Sequence, residues 1–384
     1  MITIGVMSGT SLDGADAVIA SFPEDEGAPM ATLGRAYLPM PGKLREELKA
    51  LALGTTNEIE RAGDASVVLA DLYAAVIEKA LQEAGIGREE VAAVGLHGQT
   101  IRHRPERGFT LQLNHPARVA ELTGIDVVAD FRSRDVAAGG EGAPLVPAFH
   151  AGIFRGKSPA AALNIGGIAN LTLIPPEGSN APVLGFDTGP GNMLLDAWME
   201  KSTGRAYDAE GAFAASGAVI PELLSRCLCD PYFARPAPKS TGRERFSLAW
   251  LEERLAALPE GNAVPQDVAA TLTELTAATI ADALAKTEPE ARKLYVCGGG
   301  ALNPFLMERL GQALLKRMPG CALLSSADRG LDPMEVEGAA FAWLARAFLL
   351  RMPGNLPAVT RAKGPRVLAR SIPPDGRSAI PERQ

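Results

Sequence analysis

Apolar and polar positions along the chain fall into a pattern that occurs twice. Residues 4–18 read as an apolar strand pattern on either side of a turn made of Gly, Ser, Thr and Asp, which predicts a β-hairpin rather than a strand feeding a helix. A third strand follows over 32–38, and 57–85 carries apolar residues at helical spacing, among them Val67, Val68, Leu72, Val76 and Leu81. The buried strand Val91–Leu96 runs into His97-Gly98-Gln99, and a strand at 110–113, a helix at 116–123 and a strand at 126–131 complete the first half. The second half repeats the order. Residues 160–174 read as strand, glycine turn, strand; Val183–Asp187 is a third strand; 266–287 is helical, and the strand 293–297 runs into Gly298-Gly299-Gly300.

This is the signature of a duplicated α/β fold. The boundary is placed near residue 132, giving an N-terminal lobe of 1–131 and a C-terminal lobe of 132–384, with ligands expected in a central cleft between the two glycine hairpins. Residues 205–246, rich in Pro and Arg, are too long for a plain connection and are read as a lid or substrate loop. The Pro-containing tail is expected to add one strand at 366–372.

Composition narrows the functional classes. With 384 residues, 47% of them hydrophobic, the chain is long enough for two cores. A net charge of −7 argues against nucleic acid or an anionic membrane surface as partner, so an anionic ligand has to be held by local donors. No apolar run approaches the roughly 20 residues that span a bilayer, and the first strand starts without a basic leader, so a cytoplasmic location is expected. The cysteines Cys227, Cys229, Cys297 and Cys321 have no zinc-type spacing and are read as reduced.

The first turn, Gly9-Thr10-Ser11-Leu12-Asp13-Gly14-Ala15-Asp16, gathers main-chain N–H groups, hydroxyls and carboxylates on one bend, which suits nucleotide phosphates. Asp13 is the candidate for a Mg²⁺ shell, directly or through a water. No Gly-Lys-Ser/Thr follows, so neither the Walker nor the dinucleotide fingerprint fits. The second turn offers Gly166, Gly167 and Asn170. Gly185-Phe-Asp187-Thr-Gly189-Pro-Gly-Asn192 closes a strand and opens a helix, with Asn192 as N-cap, and by position Asp187 is either a cap of this turn or a general base at the strand's mouth. Gly298-Gly299-Gly300 leads into Asn303 as N-cap and Pro304 at the first helical position.

The segment GVMSGTSLDGADAV resembles the opening signature of the anhydro-N-acetylmuramic acid kinases, and HGQT with His103, GFDTGPGN and the Gly298–Asn303 segment match the same family in order, over residues 5 to about 360. The resemblance implies a two-lobed, duplicated ribonuclease H-like fold of the hexokinase/actin type. It also implies an ATP- and Mg²⁺-dependent kinase that opens 1,6-anhydro-N-acetylmuramic acid and phosphorylates O6 in peptidoglycan recycling, and a homodimer. A phosphohydrolase or a nucleotide-gated sugar sensor of the same superfamily is the alternative. On this resemblance Asp187 is the catalytic base and Glu337 points into the active site. Gln99, Thr100, Gly189 and Asn192 line the sugar, Gly298–Gly300 takes the adenosine, and the substrate's lactyl carboxylate calls for an arginine fork, for which Arg132 is the choice. The chain departs from the family pattern at Glu141, at Asn114-His115, and at Arg361 and Ala369, where glycine is usual.

Overall fold

The computed structural model describes residues 1–9, 12–23, 30–242, 245–259 and 263–374. The chain divides into two compact units, one of Met1–Phe149 together with the chain from Glu335 on, the other of His150–Met334. This differs from the division expected at residue 132. The stretch after the fifth strand of the first sheet still belongs to the first unit, and the chain returns to it through the helix Val336–Leu349, whose residue Ala342 accepts a hydrogen bond from Thr3 Oγ1 at 2.8 Å.

The first unit contains β1 (Ile2–Met7), β2 (Gly14–Ser21), β3 (Ala31–Pro39), β4 (Val91–Leu96), β5 (Gln99–Arg104), β6 (Phe109–Leu113) and β7 (Val127–Ala129). Its main sheet has the order β3-β2-β1-β4-β7, antiparallel through the first three strands and parallel from β1 to β4 to β7, with Arg370–Ile372 added antiparallel at the β7 edge. The second unit contains β8 (Ala160–Ile165), β9 (Ile168–Ile174), β10 (Leu184–Pro190), β11 (Lys293–Cys297) and β12 (Ala322–Ser325), in the order β10-β9-β8-β11-β12. The senses are again antiparallel among the first three strands and parallel among β8, β11 and β12. Two sheets with the same strand order and senses make this a duplicated ribonuclease H-like fold. The hairpin β5–β6 is an insertion in the first copy.

Each sheet buries its faces against helices. In the first unit the helix Glu58–Ala84 buries Leu69, Tyr73, Val76, Ile77 and Ala80 against β1–β3, at the i, i+3/i+4 spacing of one face. Val67 and Val68, read from the sequence as part of that face, fall off the stripe and are 38% and 45% exposed. On the opposite face Phe341, Leu344 and Phe348 pack with Ala93, Val128 and Phe131. Gly5 and Gly95 make this packing close, because a Cβ on Gly5 would lie 1.8 Å from the Gly338 carbonyl oxygen and one on Gly95 2.2 Å from that of Phe341.

In the second unit the helix Pro265–Thr287 is the core element. By length and composition it is apolar enough to cross a membrane, contrary to the expectation from the sequence, but Leu272, Leu275, Ile280 and Leu284 are wholly or almost wholly buried within its own unit. The 205–246 stretch includes the helices Pro221–Leu228 and Pro231–Ala234, and Leu223, Cys227, Tyr232 and Phe246 are buried beside Trp198 and Leu251, anchoring it in the second unit, while most of its other described residues are exposed or half-buried. The four cysteines are free.

The departures from the family pattern acquire a local meaning. Arg361 and Ala369 have φ of 64° and 75°, the left-handed region that glycine occupies without strain. Arg361 forms an ion pair at 2.9 Å with Glu141, so two of the departures meet. His115 caps the helix Pro116–Thr123, its Nδ1 accepting from the Arg118 amide.

Candidate active site

The β1–β2 turn is held by its carbonyls. The Leu12 amide donates to the Gly9 carbonyl at 3.1 Å, and Leu12 has φ of 60°. The Asp13 carbonyl accepts from Tyr37 Oη at 2.9 Å, the Met40 amide at 2.8 Å and Arg45 Nη2 at 3.5 Å, while Arg45 Nε donates to the Leu12 carbonyl at 2.9 Å. Asp13 is exposed. Asp16 is half-buried, and burial pushes its carboxyl up against the pull of Arg35. Gly14 and Ala15 lie buried in β2, and Thr10 and Ser11 fall outside the described residues. Arg45 was missed because the helix Gly42–Leu53 was not expected, although Leu44, Leu48 and Leu51 repeat at helical spacing and are its buried face.

In the same unit Arg132 donates through Nε to His97 Nε2 at 3.0 Å and through Nη1 to the Gly142 carbonyl at 2.8 Å. Burial lowers Arg132 to about 10, with Glu337 and then Asp135 pulling the other way, so it stays a cation at neutral pH. Burial, and then the Arg132 charge, hold His97 well below its ordinary value, and its imidazole is neutral. Glu337 lies in the first turn of the helix Val336–Leu349. Asp135, fully buried and not singled out in the sequence, organises the loop after Arg132. Its Oδ1 accepts from Asn355 Nδ2 at 2.6 Å and Thr360 Oγ1 at 2.7 Å, and its Oδ2 from the Gly142 amide at 2.8 Å. Gln99 is 2% exposed, and its Oε1 has no hydrogen-bond partner among the described residues. Thr100 Oγ1 accepts from Gln112 Nε2 at 3.3 Å. The structure therefore brings Gln99, Thr100, Arg132 and Glu337 into one unit.

In the second unit the β8–β9 turn is tied to the start of the helix Met193–Thr203. Gly166 O accepts from the Asn192 amide at 2.9 Å, and Gly167 O from the Gly191 and Met193 amides at 2.9 and 3.2 Å. Asn192 occupies the N-cap position but does not cap the helix. Its Nδ2 donates to Ile165 O at 3.4 Å, because its helical φ and ψ turn the side chain away from the first-turn amides. Asn170 on β9 pairs with Asp187 on β10, and a register shift between Asp187 and Gly189 displaces the strand there.

Asp187 is half-buried. Its Oδ2 accepts from the Thr241 amide at 3.0 Å, its own amide donates to Lys239 O at 2.9 Å, and its carbonyl accepts from Tyr232 Oη at 2.7 Å. Burial raises its carboxyl to about 6, and the Thr241 amide moderates the rise. That is close to the pH at which a base can both be free and accept a proton. Gly298 has φ of 80°, and a Cβ on it would lie 2.2 Å from Asn164 Oδ1, so the exit of β11 admits only glycine without strain. Gly299 and Gly300 form a single 3₁₀ turn, and Asn303 caps the helix Pro304–Arg317, its Oδ1 accepting from the Leu306 amide at 3.0 Å.

A duplicated ribonuclease H-like sheet with a glycine hairpin opening each copy is the fold class of the hexokinase/actin-type sugar kinases. The family model described as anhydro-N-acetylmuramic acid kinase matches residues 1–374, and the chain belongs to that family. It is thus a phosphotransferase. The chain is 52% identical over 371 residues to an anhydro-N-acetylmuramic acid kinase of Bordetella pertussis, covering 96% of this chain and 95% of the relative. It is likewise 52% identical over 372 residues to one of Pseudomonas putida, covering 96% and 99%. Among solved structures, a ROK family glucokinase from Streptomyces griseus aligns over 90% of this chain and 99% of its own at 15% identity, with a TM-score of 0.40.

Proposed function

We propose that the chain uses ATP and water to convert 1,6-anhydro-N-acetylmuramic acid to N-acetylmuramic acid 6-phosphate in peptidoglycan recycling, as a cytoplasmic homodimer. The observation that carries this reading is Asp187, a carboxyl raised to about 6 by burial, with one oxygen held by the Thr241 amide, in a chain of this family. In the anhydro sugar O6 is bound to C1 and accepts no phosphoryl group until that bond opens. Asp187 takes a proton from water as the water oxygen bonds to C1. The C1–O6 pair stays with O6, which takes the γ-phosphoryl group while ADP leaves, and the proton passes from Asp187 to solvent. Glu337 orients the water or shuttles its proton. Arg132 holds the lactyl carboxylate, and Gln99, Thr100, Gly189 and Asn192 line the sugar; the unpartnered Oε1 of Gln99 supports that placement, since it needs a donor that a sugar supplies. The turns Gly9–Asp16 and Gly166–Asn170 take the phosphates, and Gly298, Gly299, Gly300 and Asn303 the adenosine.

Mg²⁺ characteristically leans on one or two carboxylates and the phosphate oxygens and keeps several waters. The exposed Asp13, with Asp16 three residues on, fits that demand, and no cluster of three or more His, Cys, Asp or Glu suited to a fully protein-held metal occurs among the described residues. When bound, Mg²⁺ neutralises charge on the phosphate oxygens. Exhaustive chelation is therefore expected to abolish turnover and added Mg²⁺ to restore it, with Asp13→Ala mimicking the chelated state. Full activity after chelation would overturn this.

The test of the reaction is the fate of water oxygen. In ¹⁸O-labelled water, analysed before the hemiacetal exchanges, the product should carry label at C1 and none in the phosphate. Label in inorganic phosphate without sugar phosphate is the outcome expected of a phosphohydrolase, and no turnover of the anhydro sugar would sink the substrate.

A further inference from the structure

We infer that His97 is a positioning residue: by accepting the Nε–H of Arg132 it turns the guanidinium so that only the Nη edge remains for the carboxylate of the substrate. This rests on the proposed function, which makes Arg132 the carboxylate partner, and adds how that partner is aimed. A guanidinium carries five N–H donors and meets a carboxylate in one of two forks, along the Nε/Nη2 side or across the Nη1/Nη2 end. Nε is occupied by His97 Nε2 at 3.0 Å, which blocks the side fork. One Nη1 proton goes to the Gly142 carbonyl at 2.8 Å, so the fork that these two bonds leave open is the end-on one, and the Glu337 charge acts on the same guanidinium.

Both anchors are themselves held. His97 is 6% exposed, its amide donates to Val6 O at 3.0 Å at the end of the β1–β4 pairing, and its ring lies 4.7 Å from that of Phe341. Gly142 is fixed through its amide by the buried Asp135. To accept at Nε2 the imidazole must carry its proton on Nδ1. The sequence signal was incomplete: beside Gln99 and Thr100, His97 reads as a sugar or carboxylate partner or as a structural histidine, and the arginine it meets lies 35 residues on.

The test compares the wild type with His97→Leu, which has no acceptor, and His97→Gln, whose Oε1 can take the place of Nε2. Each is assayed on 1,6-anhydro-N-acetylmuramic acid and on 1,6-anhydro-N-acetylglucosamine, which lacks the lactyl carboxylate. The expected result is a KM for the carboxylate-bearing sugar raised roughly tenfold or more in His97→Leu, less than about twofold for the other sugar, and largely restored in His97→Gln. An equal rise for both sugars, or no recovery with Gln, overturns the inference. Should His97→Leu fail to fold, ¹⁵N NMR of the imidazole in the wild type decides: protonated Nδ1 with bare Nε2 is expected, and the opposite tautomer overturns it. If the wild type turns over neither sugar, the proposed function fails, and the tautomer still reads the His97–Arg132 contact on its own.

Discussion

Asp187→Asn is expected to retain ATP binding and to lose turnover by roughly 10²–10⁴-fold, the usual worth of a positioned general base. The amide keeps the shape and can still accept from Thr241, but it cannot take a proton from water. The wild type should also show an acid limb. With the carboxyl raised to about 6, the base is ionised above that pH and protonated below it, so kcat/KM should rise with pH through about 6 and then level. The variant should lack that limb. The same shift makes the fold tolerant of the change. The folded pKa lies above the ordinary 3.8, so between roughly these two values the folded state binds more protons than the unfolded chain. Stability contributed by this group therefore declines as pH rises through that window, and a neutral amide avoids the loss. A fall in turnover of less than about tenfold, or an acid limb that survives in the variant, would remove Asp187 from the role of base.

Gly5→Ala is expected to cost about 3 kcal/mol or more and to prevent the first unit from reaching its native packing. The added Cβ would lie 1.8 Å from the Gly338 carbonyl oxygen and 2.5 Å from the Ala342 amide nitrogen, both backbone atoms of the helix Val336–Leu349, so no side-chain rotation relieves it. The helix would have to lift from β1, uncovering Phe341, Leu344 and Phe348 and displacing Glu337 with it. Gly42→Ala is the control, since a Cβ there meets nothing within 4 Å, and it should stay within about 0.5 kcal/mol of the wild type. Calorimetry on the full chain checks both. A Gly5→Ala protein that melts with the wild type would mean that β1 and this helix do not pack as closely as described.

The elements that the sequence determined are those whose signal is local. The glycine hairpins at the start of each unit, the strands β4, β8, β9 and β11, and the helices Glu58–Ala84 and Pro265–Thr287 follow from alternation, periodicity and turn chemistry within a few residues. Asn303 and Pro304 announce their helix in the same way, because a cap and its amide are three residues apart. The duplication was legible too, since it is a repetition of such local signals.

What only the tertiary structure decided depends on groups far apart in the chain. The helix Val336–Leu349 belongs with β1, to which Thr3 ties it across 339 residues, so no local break at residue 132 marks the unit boundary. Asn192 reads as a cap but is turned to Ile165 by the β8–β9 turn that precedes it. Asp135 reads as one acid in a charged run, yet it is fully buried and binds Asn355 and Thr360, over 200 residues away. The sequence could nominate Asp187 and Arg132, but their chemistry comes from burial and from Thr241, His97 and Gly142. A residue type sets which proton or charge is available, whereas desolvation and the partners that compete for it are properties of the packed chain.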